Sequence, residues 1–279
     1  TQGKTREVMR QVPLLQKAGI NLPDVALLWE AMGFSGKSDV FLTVDEAMEA
    51  MRADYCLRAA GPGEKTAPQP QTVCIEYQNV CFGYGEREIL HHVSLQVPEG
   101  DFVAVLGKNG TGKTTMVKHL NGLLRSGTGD VVVCGENTKE HSVAELARKV
   151  VYVFQNPDHQ LFNQTVEEEI AFGPKNLGWS EETVRQQVER ALEQSGLTEY
   201  RQESPLSLER GLKQILILAC VIAMDASIFV VDEPTTGLSQ TYKKRIGDIL
   251  KGLQANGKTI VLITHDMQFV AEYADHIVV

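Results

Sequence analysis

The sequence has no apolar run long enough to cross a bilayer, no C-x-x-C pair and no surplus of positive charge. Its most apolar stretch, Ile215 to Met224, is about half of the roughly 20 residues a membrane helix needs, so it reads as a buried helix. With 27 Lys and Arg against 36 Asp and Glu, the net charge is -9. A general nucleic-acid or anionic-lipid binder needs a basic face, and this balance argues against one. Docking on a membrane protein is not excluded by it. The five cysteines, Cys56, Cys74, Cys81, Cys134 and Cys220, are scattered, which predicts reduced thiols in a cytosolic protein rather than a metal or redox site. No signal-peptide pattern opens the chain, no initiator Met is present, and the last residue, Val279, sits in an apolar strand-like run. An internal fragment of a longer protein is expected.

What is there is the composition of a globular protein, 43% hydrophobic and 23% charged over 279 residues. The stretch Gly61 to Gln71 is dense in Gly, Pro and Gln without apolar periodicity and reads as a linker. Before it, Val8, Val12 and Leu15 recur at helical spacing, and Thr43 opens a second helix through Val44, Ala47 and Met51. About 60 residues of this kind make a poor core alone. After it the pattern turns to strands. Val73, Ile75 and Tyr77 alternate with polar residues. Phe102 to Leu106, Val131 to Cys134, Val150 to Phe154, Ile228 to Val231 and Thr259 to Ile263 are short runs, several without alternation, as expected of a mainly parallel buried sheet. Between them, Thr165 and Glu168 suggest a capping box. Ser180 caps a helix with Val184, Val188 and Leu192 on one face and Gly196 closing it. Strands alternating with helices predict an α/β fold, interrupted over about 156–225 by a mainly helical insertion.

Residues Gly107-Lys-Asn-Gly-Thr-Gly-Lys-Thr114 fit G-x-x-x-x-G-K-S/T between a strand and a helix pattern. Glycines let the backbone wrap closely round a phosphate, with successive N–H groups pointing at its charge. Lys113 can reach phosphate oxygens, and the Thr114 hydroxyl can ligate Mg²⁺. Gly107, Asn109, Gly110, Gly112, Lys113, Thr114 and Thr115 are therefore candidate nucleotide ligands. The run Ile228 to Glu233 is an apolar strand ending in two carboxylates, delivered to the sheet edge where α/β folds bind ligands. Asp232 would hold Mg²⁺, and Glu233 would accept a proton from the attacking water or orient it.

On these motifs residues 72–279 resemble an ABC ATPase. The resemblance implies a P-loop NTPase core with a mainly parallel sheet, an antiparallel β subdomain and an inserted helical subdomain. It also implies ATP hydrolysis with Mg²⁺. It carries further residues over. Tyr84 matches the aromatic that stacks on adenine. Gln155 matches the glutamine that senses Mg²⁺ and the γ-phosphate while touching the transmembrane partner. His265 matches the histidine that contacts the γ-phosphate. The other six histidines fit no such site. The segment from Gln155-Asn-Pro-Asp-His-Gln-Leu-Phe162 through Thr165 to Gly178 is similar to the ATPases of energy-coupling-factor (ECF) importers, which take up vitamins or cobalt and nickel ions. Residues 1–71 look like the tail of a preceding ATPase domain of the same family plus a linker. Gly3-Lys4-Thr5 has no glycine-rich loop before it and is not read as a second phosphate loop.

The implied partners are a second ABC ATPase domain, expected in the same full-length chain, and a transmembrane coupling subunit of an importer, with no nucleic acid. The implied place is peripheral, at the cytoplasmic face of the membrane. The pattern breaks at the family's L-S-G-G-Q signature, which here reads Leu208-Glu-Arg-Gly-Leu212, and at Ser239 in place of the usual Asp. Both altered positions face the opposite domain's ATP in this family, so the pair is expected to be asymmetric. Two other readings stay open: a regulatory nucleotide-binding half with weak hydrolysis, and a soluble ABC ATPase acting outside transport.

Overall fold

Four apolar runs form strands in which every residue is buried: β3 (Phe102–Val105), β6 (Val150–Val153), β7 (Ile228–Asp232) and β8 (Thr259–Ile263). The structure is a computed structural model that describes residues 8–17, 22–31, 34, 39–54, 72–85, 87–108 and 110–279. The linker expected at 61–71, the Gly3-Lys4-Thr5 stretch and Asn109 lie outside the described residues. With β9 (His276–Val278) the four strands make one sheet in the order β6-β7-β8-β3-β9, and each neighbouring pair is parallel.

The two faces of this sheet are covered differently, which explains the absence of alternation. Phe102, Val151, Phe229, Val231 and Leu262 pack into a core with the helices α6 (Val166–Asn176), α7 (Glu181–Ser195) and α8 (Arg210–Ala223). Val103, Val105, Val150, Val230 and Val261 pack into a second core. That one is shared with α4 (Lys113–Val117) and a four-stranded antiparallel sheet. The antiparallel sheet runs in the order β2-β1-β4-β5, from β1 (Val73–Tyr84), β2 (Arg87–Pro98), β4 (Thr128–Val133) and β5 (Glu136–Asn137). Its alternation differs from the expected one at its first residue. The β1–β2 register shifts between Val73 and Ile75, and Val73 is exposed while Cys74 is buried.

Local signals set the helix ends. Thr165 Oγ1 accepts the Glu168 N–H at 3.2 Å, and Ser180 Oγ accepts that of Thr183 at 3.2 Å. Gly196 closes α7 with a φ of 66°. A short helix α5 (Val143–Leu146) carries a full capping box from Ser142 and Glu145. Helix α8 begins before the apolar run at Ile215, because Arg210 to Gln214 already follow the helical path. Helices α9 (Gln240–Ala255) and α10 (Met267–Tyr273) complete the alternation with β8 and β9.

By contacts the chain divides into two units, one comprising Thr1–Gln69 and Ser239–Thr241 and the other Pro70–Leu238 and Tyr242–Val279. The smaller holds α1 (Val12–Lys17), α2 (Asp24–Ala31) and α3 (Val44–Asp54). It gathers a core from Val12, Leu15, Ala26, Trp29, Phe34 and Phe41, the last two edge to face at 5.2 Å. Its three aromatic residues are large contributors that the spacing of Val and Leu does not reveal.

Two of the scattered cysteines meet. β4 stops at Val133, and Cys134 and Gly135, with φ of 49° and 81°, form the two-residue turn to Glu136. This turn brings Cys134 Sγ to 3.6 Å from Cys74 Sγ. The hydrogen bond from Cys74 and the charge of Lys149 draw the Cys134 thiol down to about 7, while the same contact and burial push Cys74 up. Cys134, the exposed member, should therefore be alkylated first by iodoacetamide, with a rate that is half-maximal near pH 7 and falls below it. Mass spectrometry of peptides across a pH series checks this; a midpoint at the ordinary thiol range would contradict it.

Candidate functional site

The carboxyl ends of four parallel strands converge, and each releases side chains into one space. The glycine loop leaves β3, Gln155 follows β6, Asp232 and Glu233 end β7, and His265 follows β8. With Gly110, Gly112, Lys113, Thr114 and Thr115 these four line a cavity of about 720 Å³. That volume lies within the range of small-molecule sites.

The loop is held by its own lysine. Lys113 Nζ donates to the carbonyls of Gly107 at 2.7 Å and Lys108 at 2.9 Å, so the ammonium spans the loop it leaves. Gly112 has a φ of 96° at the N-cap of α4, and no side chain caps the helix there. The first N–H groups of that turn thus have no side-chain acceptor at the cap, as an anion cradle requires. A Cβ at Gly112 would lie 2.9 Å from Ile89 Cγ2 and 3.1 Å from Leu90 Cδ2.

Asp232 is 8% exposed. Its Oδ2 accepts hydrogen bonds from Thr114 Oγ1 at 3.1 Å and from the Tyr152 hydroxyl at 2.7 Å. Tyr152 itself is buried, and burial together with the Asp232 carboxylate pushes its phenol up, so it stays a donor. Glu233 follows with a φ of 49°, rare for a residue with a side chain and worth about 1–3 kcal/mol of strain. The turn is fixed by a 2.8 Å bond from Glu233 N–H to Ile263 O. It aims the carboxylate so that Oε1 lies 3.3 Å from His265 Nε2 while Oε2 accepts from Thr236 Oγ1 at 3.3 Å. Oxygen ligands from Thr114 and Asp232, in contact and backed by the Tyr152 hydroxyl, match the preference of a hard divalent cation such as Mg²⁺.

The structure thus brings together Lys113, Thr114, Thr115, Gln155, Asp232, Glu233 and His265 from separated parts of the sequence. Gly107 joins them through its bond to Lys113 rather than as lining. Tyr84 stands at the end of β1, exposed and edge to face with Phe82 at 5.1 Å, outside the cavity lining. Asn109 lies outside the described residues. Sequence reasoning missed Arg87, Ile89 and Thr236, which also line the cavity, and Tyr152, which holds Asp232. A Tyr inside a fully buried strand is a signal in itself, because its hydroxyl needs a partner.

Away from the cavity, Glu209 occupies the N-cap position of α8, and its carboxylate accepts a hydrogen bond from the Tyr242 hydroxyl of α9. Burial and this carboxylate push the Tyr242 phenol up to about 12. Gly211 leaves room for the same ring, since a Cβ there would lie 2.4 Å from Tyr242 Cδ2. Along β6 an apolar groove of about 420 Å³ is lined by Leu123, Val143, Phe154, Phe162, Phe172 and Met224 among others. Phe162 and Phe172, both exposed, meet edge to face at 4.7 Å.

The strand order and the loop closed by Lys113 place the chain among P-loop nucleotide-binding proteins. The model of the ABC transporter family matches residues 90–236. A Pyrococcus furiosus ABC transporter ATP-binding protein is 48% identical over 73% of this chain and 78% of its own length. One from Caldanaerobacter subterraneus is 36% identical over 99% of this chain and 50% of its own length. Among solved structures, cbiO1 from Clostridium perfringens, part of the ABC transporter complex cbiONQ, superposes with a TM-score of 0.68 at 28% identity. It covers 73% of this chain and 82% of that one. The ATP-binding cassette MJ0796, as a dimer in a post-hydrolysis state with ADP and Pi, gives 0.64 at 27% identity, over 73% and 93% of the two chains. The chain belongs to the ABC transporter family, as one of its ATPase cassettes. It spans about half the length of several of the curated relatives it matches.

Replacing Gly112 by Ala tests the loop. The strain of a positive φ, about 1–2 kcal/mol per residue, should weaken ATP binding roughly tenfold while circular dichroism stays that of the parent. Binding at wild-type strength, measured by equilibrium titration, would contradict the loop geometry as the source of affinity.

Proposed function

We propose that this chain is the second half of a tandem ATPase that powers an ECF-type importer of vitamins or transition-metal ions, and that its own nucleotide site is the hydrolytic one. The observation that carries the reading is the presence of two concavities in one domain: the polar cavity holding Lys113, Asp232 and Glu233, and the apolar groove holding Phe154, Phe162 and Phe172. The first suits a nucleoside triphosphate. The second suits an apolar helix end of a membrane subunit, and Gln160, Phe162, Glu169, Phe172 and Gly173 of its lining come from the 155–178 segment whose sequence is similar to the ECF ATPases. The likeness to cbiO1, and relatives about twice as long as this chain, support the importer class and the tandem arrangement respectively. Residues 1–71 are then the tail and linker after a first domain, and 72–279 the second domain with its helical part near 156–225. The proposed place is peripheral, docked on that subunit at the cytoplasmic face; no helix among the described residues is long and apolar enough to cross a membrane.

In this mechanism Lys113 leaves its loop carbonyls for the β- and γ-phosphate oxygens, and the backbone N–H groups of Gly110 to Thr115 complete the cradle. Thr114, Asp232 and Gln155 would hold Mg²⁺, which supplies charge neutralisation at those oxygens. Glu233, aimed by its left-handed turn, accepts the proton of the attacking water, and His265 beside it contacts the γ-phosphate. Tyr84 gives the adenine a stacking face. The first domain contributes its signature to this site.

The reverse contribution is impaired. Glu209, held by Tyr242, carries negative charge at the position where this family places a serine toward the opposite ATP. Loss of one preorganised donor to developing charge costs about 10²–10³ in rate. In the full-length protein Glu233→Gln should leave ATP binding intact and remove most ATP turnover, about 10²-fold or more. The equivalent change in the other domain should cost far less. If that second change has the larger effect in a phosphate-release assay, the assignment of the working site is wrong.

A further inference from the structure

One side chain in the wall of the apolar groove bonds directly to a residue of the nucleotide cavity. Tyr152 lies in β6, and its hydroxyl donates at 2.7 Å to Asp232 Oδ2, the oxygen that also accepts from Thr114. Its ring forms part of the wall of the groove, stacked obliquely on Phe154 at 4.6 Å between centroids. Phe154 is exposed and lines the same groove, and its backbone N–H is held by Gln160 Oε1 at 3.1 Å. Gln155, the next residue, lines the nucleotide cavity. The geometry points to Tyr152 as a positioning residue that sets the orientation of the Asp232 carboxylate according to what presses on Phe154 in the groove.

The physical basis is hydrogen-bond direction. A carboxylate held at one oxygen by two hydroxyls cannot rotate, and its second oxygen is left for the cation. If the hydroxyl is removed, Thr114 alone must both hold Asp232 and serve as a ligand, two demands on one oxygen. Displacement of the Phe154 ring moves the Tyr152 ring packed against it, because close-packed interiors transmit small shifts rather than absorb them. This route reaches the metal side of the site through Asp232. It is therefore distinct in its atoms from any contact that Gln155 makes directly.

The inference rests on the reading of Asp232 as a Mg²⁺ ligand, so the test separates the two. In the full-length protein, binding of a fluorescent ATP analogue is titrated with Mg²⁺ and repeated in EDTA. Wild type should bind more tightly with Mg²⁺; if Mg²⁺ has no effect on wild type, the metal reading itself fails. Tyr152→Phe should raise the Mg²⁺ concentration for half-saturation about tenfold, the scale seen when a partner of a metal ligand is lost, with affinity in EDTA changed less than about twofold. Tyr152→Met, an apolar side chain of similar reach without a hydroxyl, should give the same shift, which keeps the test valid if one variant folds poorly. Phe154→Ala should shift the Mg²⁺ midpoint in the wild-type background and add nothing in the Tyr152→Phe background. An unchanged midpoint in both Tyr152 variants, or additive effects of Phe154→Ala, would overturn the proposal.

Discussion

The hydrogen-bonded carboxylate of Asp232 is the constraint that the rest of the site depends on. A carboxylate only 8% exposed is costly to bury unless its oxygens are paired, and here Thr114 and Tyr152 pair one of them. Those two donors come from different places, the turn after the glycine loop and the neighbouring strand β6. Their meeting at Asp232 therefore fixes the distance between the loop that can hold phosphate and the strand end that can hold metal. Charge-assisted bonds of this kind are roughly twice as strong as neutral ones and strongly directional. A loop of glycines is thereby tied to a rigid sheet.

The sheet supplies the rigidity. β7 is buried along its whole length and flanked by β6 and β8, so its last residue can shift only if the two cores shift with it. Glu233, one residue on, escapes the sheet by adopting a strained left-handed conformation, and the ladder bond to Ile263 holds it there. Strain kept at one residue beside a well-supported strand is a common mark of a site where a side chain must point in one direction. The same logic applies at Glu209, whose carboxylate is bound by Tyr242 over the gap left by Gly211. A charge fixed in this way cannot fold back from a partner domain without losing its hydrogen bond.

The sequence makes the parallel sheet readable because its strands lack alternation, and it makes the loop readable because glycine, lysine and threonine occur at a spacing that few other structures need. Ser180, Val184, Val188, Leu192 and Gly196 define α7 at both ends and on one face, through cap and period together. What escapes is long-range pairing between ordinary residues. Tyr152 reads as one more member of an apolar run, and its bond to Asp232 spans a separation of 80 residues. The Cys74–Cys134 contact depends on a strand register and on a turn at which a cysteine stands where Asn, Asp or Gly is usual. Tyr84 shows the opposite case. The family pattern marks it, and the structure sets it at a strand end beyond the cavity lining, a placement no local pattern encodes. In the small helical unit Phe34 and Phe41 join the core from outside its helices, where no helical spacing marks them.

Nucleotide selectivity of the protein bears most directly on the central claim that the Lys113 loop, backed by Asp232 and Glu233, grips a polyphosphate. Calorimetric titration with ATP, ADP and AMP in the presence of Mg²⁺ reads that grip phosphate by phosphate. ATP and ADP should each bind saturably at one site per chain, while AMP, which lacks the β-phosphate the loop surrounds, should bind at least tenfold more weakly. Equal binding of all three, or no saturable binding of ATP, would contradict it.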